Sequence, residues 1–194
     1  MFDTGTPTSS KEILASLSRV QAEGELYVGE LSMTDFLASQ GDGWSPADQV
    51  RHLSKSMFPV ARALRIPRFV LRLLFGASPG TSRAFYEIVD TYRARLSGGA
   101  TAGRFAPSKR PAPDDPEAWR KEVLLRWHKA AASLLSAIAR WDDPALDRYR
   151  LPHPILGRLT IREMLFFTVY HQSHHLNQRA SRGRGGSKTR PYRE

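Results

Sequence analysis

Residues 160–180 read TIREMLFFTVYHQSHHLNQRA. Thr160 and Glu163 form a capping box, no Gly or Pro occurs between them and Ala180, and the Gly-rich RGRGGS beyond residue 181 stops the pattern. The stretch therefore predicts a helix, and it places three of the chain's 6 histidines within five positions. On a helix, positions i and i+4 differ by about 40° around the axis, so His171 and His175 project from one face about one turn apart. That spacing suits one metal ion. His174, at i+3, lies about 60° to the other side of His171, which predicts that it packs beside the site or meets a neighbouring helix. The face of His171 and His175 continues through Met164, Phe167/Thr168 and Gln178, the side expected to meet a core.

Three further helices are predicted by the same kind of signal. Ser9 and Glu12 cap a segment with Ile13, Leu14, Leu17 and Val20 on one face, ending near Gly29 or Leu31. Ser45, with Pro46 at the first helical position and Asp48 after it, starts a second helix that carries His52. Asp115 and Pro116 open a third, which runs to Trp141 with Trp119, Val123, Trp127, Leu134 and Ile138 at helical spacing. No convincing strand alternation or repeat appears. The expected fold is all-α, an antiparallel four-helix bundle formed by residues 1–180. A helical and loop insertion is expected at about 59–114, between the second and third bundle helices, because Pro59 and Pro67 interrupt continuous helix. A short helix is expected within 79–97, then a Gly/Pro-rich loop. The Gly- and Arg-rich residues 181–194 are expected to form a disordered basic tail.

At 194 residues, one domain is the expectation; 41% hydrophobic and 25% charged is a soluble composition. No apolar run reaches the roughly 20 residues that cross a bilayer, and the N-terminus has neither the basic nor the apolar region of an export signal. A cytoplasmic location is expected. The net charge of +10 is concentrated: residues 60–113 hold 10 Lys/Arg against 2 Asp/Glu and 181–194 hold 5 against 1, leaving 14 against 16 elsewhere.

With 0 Cys, disulfides and thiolate ligands are excluded, any thiol chemistry needs a thiol from outside, and His, Asp and Glu remain as strong metal ligands. A zinc-like centre wants a third protein ligand. His52, beside Val50, Leu53 and Met57, is the best candidate. From the residues alone, the histidines also fit ordinary core or helix-surface positions.

The segments GWSPADQVRHL (43–53) and HPILGRLTIREMLFFTVYHQSHHLNQ (153–178) resemble the DinB-like superfamily of bacterial four-helix-bundle metalloenzymes. The resemblance implies a divalent metal, nickel, zinc or iron, held by a His on the second helix and by the first and last His of an HxxxH on the last. These positions match His52, His171 and His175; the pattern His-x-x-His-His-x-x-Gln, with His174 and Gln178, is familiar there too. It further implies a homodimer in many relatives. In some, it implies S-transferase or isomerase activity with a small thiol such as bacillithiol or mycothiol, the substrate being a small molecule.

His128, after Trp127, is a candidate acid or base near the site, with an exposed or structural role as the favoured reading. His153 reads as a turn residue. Arg62, Arg65, Arg68 and Arg72 read as a solvated face before an anion or membrane-surface site. Trp119, Trp127, Phe166 and Phe167 read as core. Gln172 stands where a His-Glu-x-x-His protease needs its Glu. The leading expectation is a metal-dependent enzyme using a thiol or water as nucleophile, either an S-transferase or a hydrolase. The rival is a noncatalytic, metal-containing bundle that binds nucleic acid or another polyanion through the Arg-rich insertion and tail.

Overall fold

The computed structural model describes residues 2–39, 43–78, 80–109, 111 and 113–180, the side chains of 179 and 180 excepted. The predicted basic tail, 181–194, lies outside the described residues. Helix α1 (Ser10–Glu30) begins at the Ser9/Glu12 capping box. The short α2 (Met33–Leu37) follows, then α3 (Pro46–Ala63), capped by the Ser45 hydroxyl with Pro46 in its first turn. The other long helices are α6 (Pro116–Ile138), with Asp115 as cap, and α8 (Ile161–Ala180). These four form the bundle. α1 packs on α6, α6 on α3, α3 on α8 and α8 on α1, which closes the ring.

The core is assembled from the apolar faces read in the sequence. Ile13, Leu53, Met57, Trp127 and Ile138 are all at 0% exposure, while Trp119, Phe166 and Phe167 are buried. The close approach of α1 rests on Gly24. A Cβ there would stand 2.7 Å from Leu176 Cδ1 and 2.9 Å from the Trp127 ring.

The structure departs from the sequence expectations at three places. α3 runs through Pro59 instead of ending there. A proline deprives the helix of one hydrogen bond, to the residue 55 carbonyl, and Lys55 is exposed to water. The burial of Met57 and Ala61 on either side holds the helix together, so the insertion begins after Ala63. α6 ends at Ile138, three residues before Trp141, and a separate helix α7 (Asp143–Arg148) starts at the Asp142 cap. The third is a strand pair where none was expected. β1 (Arg150–His153) and β2 (Gly157–Thr160) form an antiparallel hairpin, with Leu151 opposite Leu159. Gly157 takes φ +76°, a conformation that disfavours side chains. Each strand is only four residues long, too short for alternation to show.

The insertion folds onto the bundle as α4 (Arg68–Phe75), α5 (Phe85–Ser97) and a 3₁₀ turn, Gly103–Phe105. α5 packs on α8. Arg83, just ahead of α5, donates from its backbone N–H and its guanidinium to Glu163, itself part of the Thr160 capping box of α8. All four arginines of the series are exposed, as the solvated-face reading expects; Arg65 also donates to the Ala61 and Ser133 carbonyls, and Arg68 lies over the Trp141 ring.

Candidate metal centre

His52 sits in the second turn of α3, while His171 and His175 lie in the second half of α8. The antiparallel pairing of these helices brings the three together. His171 Nε2 stands 3.0 Å from His52 Nε2 and 3.1 Å from His175 Nε2. One nitrogen from each residue lies within 4.8 Å of the others, and all three residues are buried. His52 thus lies beside the other two histidines.

Aromatic rings enclose the group. Trp44 lies with its ring centroid 4.8 Å from that of His52 and stacks at 5.8 Å on His175. Phe167 stacks on His171 at 4.8 Å. Such walls remove water, and burial is the main cause that pushes His171 and His175 well below the usual imidazole pKa, the neighbouring histidines adding to it. Burial also lowers His52. At neutral pH the three rings are neutral, the protonation state that a metal ion requires.

The tautomer of His52 is fixed from outside the bundle. Its Nδ1 lies 2.8 Å from the carbonyl oxygen of Phe105, in the 3₁₀ turn. A carbonyl only accepts, so Nδ1–H donates and Nε2 is left with a lone pair facing His171. This is the outer-sphere arrangement found behind metal-bound imidazoles. Nothing in the local sequence of residues 101–106 signals it.

The donor set tests whether a metal fits. His52 Nε2 is an acceptor, so His171 Nε2 can donate its proton to it. That nitrogen then has no lone pair for His175. One neutral ring nitrogen cannot satisfy both neighbours, whereas a cation accepts all three lone pairs. Two nitrogens each about 2.1 Å from one ion stand about 3.0 Å apart at a right angle and about 3.4 Å apart at the tetrahedral angle. The two separations at His171 are of that size, and the third pair, His52 and His175, lies within 4.8 Å. The donor chemistry of the three residues fits a divalent ion, with His52 and His175 closing on it.

The three histidines line a cavity of about 550 Å³ between α3, α5, α8 and the hairpin, whose described lining contains no Asp or Glu. The remaining histidines divide between this cavity and the far side of the bundle. His174 lines the cavity but takes no part in the nitrogen cluster: its Nε2 accepts from the Gln178 side-chain amide at 2.9 Å. Gln178 is thereby tied to His174. Burial lowers the His174 pKa to about 4. His128 is not near the site. Its ring is exposed and pairs with Glu25 Oε1 of α1 at 3.0 Å, because Trp127 points into the core and the next residue is turned about 100° outward.

His153 has a larger role than the sequence suggested. Its Nδ1 accepts from the N–H groups of Ile155 and Leu156, at 3.2 and 3.1 Å, which makes it the turn residue expected. It also lines the cavity, its ring centroid 4.2 Å from that of Phe167. With Nδ1 held as an acceptor, Nε2 carries the proton. A neutral N–H donor is thus fixed one ring, that of Phe167, away from the nitrogen cluster.

The sequence model of the DinB superfamily matches residues 16–178, which include all three clustered histidines. The chain belongs to the DinB superfamily. Among solved structures, this DinB chain is similar to TT2238, a four-helix bundle protein, with a TM-score of 0.53 and 21% identity over 89% of this chain and 99% of that one. At that identity the likeness shows the fold. No curated protein matches this DinB chain.

Proposed function

We propose that the chain is a divalent-metal-dependent enzyme in which His52, His171 and His175 hold the ion, and that it transfers a small external thiol to an electrophilic substrate. The observation that carries this reading is the convergence of three buried, neutral Nε2 atoms on one wall of a large cavity. A divalent ion supplies a lowered pKa to a bound thiol or water. The protein's own residues supply the rest. Phe105 holds His52 in the ligating tautomer, Trp44 and Phe167 exclude water, and His153 offers an N–H to an acceptor atom of the bound molecule. Three neutral ligands leave the charge of a divalent ion uncompensated, and with no carboxylate in the described lining an anionic partner such as thiolate is favoured. The absence of cysteine means that no side-chain thiol competes for that place.

The test is turnover by metal-loaded protein with a panel of small thiols and electrophiles. Thiol-dependent product formation that falls at least about hundredfold in His52→Ala/His175→Ala, with helix content retained, is the expected result. Equal turnover in the variant, or reaction with water alone, contradicts thiol transfer.

A further inference from the structure

The cavity extends well beyond what three histidines and a small thiol occupy. His52, Ser56, Val60 and Ala63 all line it. They recur on one face of α3, and at 1.5 Å per residue the run from His52 to Ala63 spans about 16 Å. The opposite wall is α8, running the other way, from His175 and His171 to Met164. The two ends differ in chemistry. One end is the histidine cluster. The other is lined by Val60, Ala63, Ile66, Phe75 and Ile155, contributed by α3, both ends of the α4 segment and the hairpin loop. The polar groups between are already engaged or sparse: the Thr168 hydroxyl donates to the Met164 carbonyl at 2.7 Å, and the Ser56 hydroxyl to the Leu53 carbonyl at 2.9 Å.

A cavity with a metal-type polar end and a long apolar arm matches one class of molecule. We propose that the site binds an elongated amphiphile, with a metal-seeking head at His52, His171 and His175 and an alkyl or aryl-alkyl chain laid along α3 toward Ala63 and Ile66. This rests on the metal-centre reading for the head and on the shape and chemistry of the cavity for the chain. The arm is the specificity element. It accounts for the insertion's position, since Ile66 and Phe75 come from it and wall off a channel that the four bundle helices alone would leave open.

The test is calorimetric titration with a homologous series of straight-chain alkyl hydroxamates, on the full chain as purified and after chelator treatment. Each methylene that enters the arm is expected to raise affinity about fourfold until the arm is full. Ala63→Trp and Ile66→Trp, two substitutions at the arm's walls, are expected to flatten that rise while leaving the shortest hydroxamate unchanged. Circular dichroism identifies whichever of them retains the fold. Affinity independent of chain length in the wild type, or a rise unaffected in a folded Trp variant, overturns the proposal. Failure of the metal reading looks different: the shortest hydroxamate then binds untreated and chelator-treated protein equally, while the rise with chain length persists.

Discussion

The Nδ1 of His52 lies 2.8 Å from the carbonyl oxygen of Phe105, so a bundle histidine takes its orientation from a turn in the insertion. Loosening that turn changes the site without touching any of the three histidines. Phe105→Gly is expected to lower metal affinity about 10- to 100-fold, the size seen when a partner behind a metal-bound imidazole is lost. Competition with a chromophoric chelator measures it.

Gly24 is where the packing of α1 is least forgiving. Substituting Ala adds up to about 1 kcal/mol of helix propensity, but the new Cβ meets Leu176 and the fully buried Trp127 at less than 3.0 Å. Overpacking of this kind costs about 1–3 kcal/mol, so the net expectation for Gly24→Ala is lower stability. The midpoint of urea unfolding gives the answer.

Glu163 joins two elements. Its carboxylate accepts from the Thr160 N–H of its own helix start and from Arg83 of the insertion, and the hydrogen bonds to Arg83 and Thr160 hold its pKa below the usual carboxylate range although burial opposes them. Glu163→Ala removes the cap and leaves the Arg83 contacts unmade, at a cost of about 2–3 kcal/mol. Hydrogen exchange is expected to speed up first in Arg83–Ile88 and at the start of α8.

Acid stability depends on His153, which burial lowers to about 4 from the ordinary 6.5. Above about pH 6.5 the residue is neutral folded or unfolded and contributes nothing to the pH dependence. Between about 6.5 and about 4 the unfolded chain takes up the proton and the folded chain does not, so stability falls as pH falls, by up to about 1.4 kcal/mol per unit from this residue. His153→Asn keeps an acceptor for the Ile155 and Leu156 amides and is expected to flatten that slope. Urea midpoints across this range check it.

The long helices were legible because each carries its own local signals: Ser9, Ser45, Asp115 and Thr160 as caps, and apolar residues at helical spacing. The histidine cluster was legible in part for the same reason, since His171 and His175 are one turn apart on one helix. What the sequence did not show depends on contacts distant along the chain. Phe105 acts through a backbone carbonyl, which has no residue-type signature. The cavity role of His153 arises from a hairpin too short to display alternation, and α3 continues through Pro59 because packing on either side outweighs one lost hydrogen bond. His128 is exposed, as the favoured sequence reading had it, because the burial of Trp127 turns the next residue outward.

The proposed function requires that His52, His171 and His175 share one ion. Elemental analysis of the full chain, purified without an affinity tag or chelator, tests it most directly when wild type is compared with His171→Ala. Near-stoichiometric nickel, zinc or iron in the wild type and its loss in the variant is the predicted result. Wild-type protein that carries no metal and takes up none on titration, or a variant that retains it in full, would rule out a shared ion at these histidines.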